Sequence, residues 1–378
     1  MNLRMEGWLK MNRIVIALPV AVLLAAVGCQ EQQSGGYPKG QFQQRDFMAS
    51  PKVGEGITPL KIPAEVDGKT QEIAYQGSAA EKQVQKALEG NFSPPWFWQD
   101  NPYVLSKSSQ SLLRGELLYR QHCVQCHGVA GDGQGIAAQW LDPKPRDYRK
   151  GVFKWKSTVL NAKPTKNDLA ETIRNGTYGA SMPSFRLLNN EQINDVVEYV
   201  VYLSMRGEFE RTLIFALMNG DEYDTQKELD RVRSLWNQAN NAIVQPALSA
   251  PAYEVDSDDY KAAVIRGRDL FLGENTGCYK CHGKDGKADP SQMAQAEKDK
   301  MFDDWGHQNF PRNLNYGLYR GGRHPLDLYR RVHQGIRGTA MPGQGDNPKV
   351  KPEMIWDIVL FLKQLPRQPE LLKPAGQK

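Results

Sequence analysis

The sequence predicts an all-α protein with two tandem domains joined by a helical linker, behind an irregular N-terminal tether. Three observations carry this prediction. The stretch "CVQCH" at 123–127 returns as "CYKCH" at 278–282. Each copy follows an amphipathic segment with a glycine and an aromatic residue four apart, Gly115 and Tyr119 in one, Gly267 and Phe271 in the other. Residues at that spacing share one helix face. Each copy ends in a second amphipathic run: "NNEQINDVVEYVVYLS" places Ile193, Val196, Val197 and Val200 on one stripe, and "KPEMIWDIVLFLKQLP" does so with Ile355, Ile358, Val359 and Leu362.

The elements between these landmarks repeat as well. "KPRDY" (Pro145, Arg146) echoes "FPRNL" (Pro311, Arg312). "IRNGTYGASMPSF" aligns with "VHQGIRGTAMPGQ", bringing Met182 onto Met341, each followed by proline. Asn189 or Asn190 suits the cap of the first closing helix. Pro352 suits the first position of the second helix, and Pro366 lies just past its end. The repeat is therefore domain-sized, over 106–206 and 259–366. Residues 207–258 form the helical linker and 367–378 a tail. The linker could dock a partner or pack between the domains. The second unit carries an insertion, Ala288–Gln308, which reads as a docking surface or a variable loop.

Residues 1–28 read as an export signal. A basic opening precedes an apolar run from Ile14 to Gly28, shorter than the roughly 20 residues of a bilayer-crossing helix. Met11 offers a second start. "AVGC" at Ala26–Cys29 resembles the bacterial lipobox, with Ala26 where leucine is commoner, and this implies cleavage before Cys29 and its acylation. Two or more buried acyl chains anchor stably where one holds marginally. The competing reading is an uncleaved signal anchor. Either way the chain is expected on the periplasmic side of a bacterial membrane. Residues 29–105 form the tether and irregular segment, rich in Gln and Gly at first. A helix is expected around Ala79–Leu88, and the aromatic "FSPPWFWQDNPY" is expected to pack on the first domain. The formal charge of +5 falls to +3 without the leader, which excludes a nucleic-acid footprint.

The C-x-x-C-H pattern carries the chemistry. Cys123 and Cys126 lie about one helical turn apart, so both thiols face one flat ligand, and His127 follows directly. Cys278, Cys281 and His282 repeat the arrangement. This is the attachment signature of c-type haem, two thioethers to the porphyrin and one imidazole to iron. A redox dithiol, a structural disulfide and a zinc site compete for C-x-x-C, but none requires the adjacent histidine or its recurrence.

Each unit resembles a class I cytochrome c domain. The resemblance covers a little over half of the chain and implies two covalently bound c-type haems. It implies Met182 and Met341 as axial ligands opposite His127 and His282, core filling being the ordinary alternative for a methionine. It implies that the carbonyls of Pro145 and Pro311 accept from the axial imidazoles, and that Arg146 and Arg312 pair with haem propionates. It also implies helix crossings of Gly115 against Tyr202 and of Gly267 against Phe361. Methionine opposite histidine raises the potential and fills the sixth position, which suits one-electron transfer more than catalysis. The expected function is thus a membrane-anchored di-haem carrier between a redox donor and acceptor of a respiratory chain. The rivals are a di-haem peroxidase or sulfur-compound dehydrogenase, and a haem subunit of a larger oxidoreductase complex.

Overall fold

The computed structural model describes residues 61–66, 69–74, 82–84, 86–88 and 109–372. The leader, Cys29, the aromatic segment 92–103 and the end of the tail lie outside the described residues. The domain-bearing part begins with helix α1 (Ser109–His122), the short α2 (Val124–His127), α3 (Lys166–Asn175) and α4 (Asn190–Asn219). The linker helix α5 (Thr225–Asn237) follows. The second set is α6 (Asp258–Leu272), α7 (Cys278–His282), α8 (Pro325–Gln334) and α9 (Pro352–Gln364). Each set builds the same unit: the first helix crosses the last, while the cysteine turn and a short third helix close the cleft between them.

Local chemistry sets the ends of these helices. Asn189 caps α4 reciprocally with Gln192, each side chain bonding the other's backbone N–H at 2.9 Å, and this satisfies two donors that the helix start leaves open. Thr165 and Asp168 form the same box on α3. Pro352 opens α9 where its missing N–H costs nothing. The predicted stripes are buried, Ile193 and Val196 in one core and Ile358 and Val359 in the other.

The helix crossing depends on a three-residue device that the chain uses twice. An added Cβ on Gly115 would lie 1.9 Å from the Asp195 carbonyl oxygen, and one on Gly267 would lie 2.0 Å from that of Asp357. The neighbouring arginine then grips the carboxylate of the same aspartate. Arg114 Nε donates to Asp195 at 2.6 Å and Arg266 Nε to Asp357 at 2.8 Å, each with a second guanidinium bond. These bidentate pairs explain how the two aspartates stay buried. The aromatic residue beside Gly267 is Phe361, as expected. Beside Gly115 it is Tyr199 and not Tyr202. Tyr199 lies one turn beyond Asp195, as Phe361 does beyond Asp357, and Tyr202 stacks on its far side with ring centroids 5.8 Å apart.

Two elements differ from the sequence expectation. Strands β1 (Lys61–Val66) and β2 (Lys69–Ala74) form an antiparallel hairpin within the segment read as irregular, with Val66 opposite Lys69 and β1 lying against α4. The segment's proline and glycine read as punctuation of irregular chain, but the Asp-Gly pair in its sequence is a strong short hairpin signal. The first arm of the linker is the continuation of α4 itself, which runs on to Asn219. The other arm, α5, gives Leu229, Val232 and Trp236 to the first domain's core, together with Val84 and Leu88 of the short helical stretch.

The insertion of the second unit docks on the first. Lys154 Nζ donates to Asp303 at 2.8 Å, and Trp305 Nε1 donates to the Asp147 carbonyl. Arg331 and Gln334 of α8 both donate to the carbonyl of Lys156. Burial pushes Lys154 down to about 8, so the pair is charged near neutrality. Burial works to raise Asp303, but the hydrogen bond and charge of Lys154 outweigh it and hold the carboxyl below its ordinary value.

Two predictions follow from these contacts. Gly267→Ala forces a methyl group into backbone, and it is expected to lower stability by roughly 1–3 kcal/mol in denaturant unfolding of the holoprotein. A free energy unchanged within error would show that the helices do not meet this closely. Because Asp303 is depressed in the folded state, its contribution is complete above pH about 4 and is lost as pH falls through the folded value. Asp303→Asn is expected to flatten this part of the acid-stability curve. An unaltered curve would place the acid sensitivity elsewhere.

Candidate haem clefts

Each cysteine motif folds as a short helical turn because its cysteines must face the same side. In the first unit the amides of Cys126 and His127 bond back to the Cys123 carbonyl at 3.1 and 2.9 Å. Gly128 and Gly283 follow the two histidines with φ near +75°, a left-handed turn that ends each motif. The four thiols are free of disulfides, and Cys123 and Cys278 pack at the edges of the two cores. Among the described residues no group of three or more His, Cys, Asp or Glu is arranged to hold a metal ion.

Two clefts open beside these turns. The first brings together Cys123, Cys126, His127 and Met182; the second brings together Cys278, Cys281, His282 and Met341. Apolar side chains line most of each, including Leu169, Ile173 and Val196 in the first and Leu328, Val332 and Ile358 in the second. Both histidines are oriented from behind. Nδ1 of His127 lies 3.2 Å from the Arg146 carbonyl, and Nδ1 of His282 lies 3.3 Å from that of Arg312. A carbonyl only accepts, so Nδ1 carries the proton and Nε2 keeps its lone pair for a metal. The acceptor expected on Pro145 and Pro311 is thus one residue further along. Both prolines still line the clefts, and they hold the following carbonyl towards the imidazole. Burial pushes His127 down to about 4 and lowers His282 as well, which favours the neutral, ligating form.

The methionine loops are tied to the ends of α3 and α8. Thr177 N–H donates to the Met182 carbonyl at 3.1 Å, and Ile336 N–H donates to that of Met341 at 3.2 Å. These two positions align between the repeats but differ chemically. The Thr177 hydroxyl reaches the Met182 sulfur at 3.8 Å, whereas Ile336 turns an apolar side chain into the second cleft. A second asymmetry lies behind the histidines. Tyr148 stacks on His127 with centroids 4.8 Å apart, where the second unit has Leu314.

The predicted arginines line their clefts, with further partners. Arg146 lies over the ring of Trp305, 3.6 Å from its centroid, so a residue of one domain is held by the insertion of the other. Arg312 places a guanidinium nitrogen 2.4 Å from where a Cβ on Gly179 would be, against the methionine loop of the first domain. The buried Nε atoms of Arg312 and Arg320 have no hydrogen-bond partner. Lys154, Trp155 and Arg320 line both clefts, and the sequence reading singled out none of them. The signal was present. Lys154 stands eight residues after Arg146 in "GVFK", and Arg320 eight after Arg312 in "GLYR".

The residues fit a c-type haem in each cleft. Two thiols outside any disulfide stand where thioethers would form, with a histidine nitrogen and a methionine sulfur on the same apolar cavity, and guanidinium groups with an unbonded buried Nε at its rim would meet an anion.

The family follows from one comparison with known proteins. A cytochrome c family model matches residues 112–204 and 264–366, together more than half of the chain. No curated protein matches. Among solved structures, a chain of the Kuenenia stuttgartiensis reducing HAO-like protein complex Kustc0457/Kustc0458 is 23% identical, with a TM-score of 0.49, over 67% of this chain and 95% of that one. The two matched regions begin within α1 and α6 and end in α4 and just past α9, so each contains one cysteine turn and one methionine loop. The chain belongs to the cytochrome c family, as a haem protein of electron transfer with two cytochrome c domains in tandem.

Proposed function

We propose that this protein is a lipid-anchored di-haem cytochrome c on the periplasmic side of a bacterial membrane, passing single electrons between a donor and an acceptor of a respiratory chain. The observation that supports the reading is the common wall of the two clefts, which would set two one-electron centres side by side within one chain. Bound haem supplies iron that cycles between two oxidation states. The protein's own residues do the rest. His127 and His282 present Nε2 to the cleft while Nδ1 donates to a backbone carbonyl, and Met182 and Met341, on the same clefts, would supply the second ligand. The apolar lining excludes water and so limits reorganisation when charge changes. Cys29, once acylated, would hold the pair near membrane partners while the following tether lets it reach them. The subunit reading shares this mechanism and differs only in whether the partner stays bound.

Carbon monoxide titration of the fully reduced protein tests the carrier reading against an enzyme. Neither haem is expected to shift its spectrum, because Met182 and Met341 would close each iron to a further ligand. Binding at one haem would reveal an open iron and favour peroxidase or other small-molecule chemistry. The Thr177 hydroxyl draws electron density from the Met182 sulfur and so disfavours ferric iron. Thr177→Val is therefore expected to lower one of the two midpoint potentials in spectroelectrochemistry and leave the other in place. Two unmoved potentials would mean that the hydroxyl does not act on the ligand.

A further inference from the structure

The wall between the clefts contains an arrangement that the duplication alone does not require. Lys154 and Arg320 occupy equivalent positions of the two repeats, three residues after Gly151 and Gly317 respectively. Each lines the cleft of its own domain and that of the other. Trp155 stands beside them and packs on Gly321, where a Cβ would lie 2.7 Å from its ring. The equivalence extends outward. Arg312 abuts Gly179 on the first methionine loop, while Arg146 lies on Trp305, which in turn abuts Gly338 at the matching position of the second loop. The repeats therefore face each other reciprocally, with Lys154 and Arg320 where the two clefts meet.

The charge at this place is unbalanced. Lys154 is paired with Asp303, but Arg320 has no hydrogen-bonded partner at its buried Nε, nor has Arg312, and the two guanidinium groups repel each other. Asp142 offsets part of the charge on Arg320, but a half-buried guanidinium whose Nε has no partner still favours a further anion within reach. Two haems bring about four propionate charges at neutral pH. We propose that Lys154 and Arg320 form a reciprocal carboxylate-binding pair, each reaching the propionates of the haem in the other domain as well as its own. This rests on the di-haem reading above and deepens it. With both haems bound, the two clefts would share one cationic wall, and the charge on each iron would be felt at the other.

The test is a spectroelectrochemical titration of Arg320→Gln in the full di-haem chain. Loss of a cation near both irons favours the ferric state of both, so both midpoint potentials are expected to fall together, with two haems per chain by mass and unchanged ferrous spectra. Movement of a single potential, or of neither, would overturn the reciprocal pair and leave Arg320 a local or structural residue. Should Arg320→Gln not accumulate with both haems, Arg320→Lys and Lys154→Arg keep the charge and alter its reach, and each is again expected to move both potentials. One moving alone would count against the proposal. Failure of the underlying reading is separate: a wild-type chain without two covalent haems would show it before any variant is made.

Discussion

Both domains depend on the close crossing of their first and last helices. The contact at Gly115 and Gly267 is so tight that the facing backbone carbonyl occupies the space of a side chain. This closeness sets the direction of each helix pair and so the width of the cleft beside it. The Arg–Asp pairs lock the register, since a bidentate guanidinium fixes both distance and angle. The cysteine turn follows one helix of the pair directly, and the methionine loop is hydrogen-bonded to the helix before the other. The distance across each cleft is therefore inherited from the crossing.

Duplication then gains a second use. Two such units could have been tethered loosely, each with its own cleft facing solvent. Instead, the insertion of the second unit holds the first through Asp303 and Trp305, and α8 adds two bonds to the Lys156 carbonyl. These contacts bring the rims of the clefts together. Residues that would be surface cations in an isolated domain become parts of a common wall. The repeats are nevertheless not identical inside. Thr177 faces one methionine sulfur where Ile336 faces the other cleft, and Tyr148 backs one histidine where Leu314 stands in the second unit. With haem bound, such differences would give the two similar centres unequal affinity for an electron.

The sequence revealed what is local and periodic. C-x-x-C-H needs five consecutive residues, and the stripes on α4 and α9 follow helical spacing, so both were legible. The aligned methionines were visible because the loops around them repeat. Contacts fixed by the meeting of distant segments were harder to read. The partner of Gly115 was placed three residues too far along α4, because an aromatic anywhere near the right turn satisfies a pattern. The imidazole acceptor was placed one residue early, on Pro145 and Pro311, because a proline marks the turn without naming the carbonyl that points inward. The hairpin escaped because the proline and glycine punctuation of its segment reads equally as irregular chain and as turns. Lys154 and Arg320 were not singled out because their position matters only once both domains are docked.

The most direct measurement is the redistribution of a single electron. Fast photochemical reduction with less than one electron per molecule, followed optically, reports how the electron moves between the haems. If the clefts share a wall, the redistribution is first-order, with a rate independent of protein concentration. A rate that rises in proportion to concentration would mean that electrons pass between molecules, and that the two centres of one chain do not communicate.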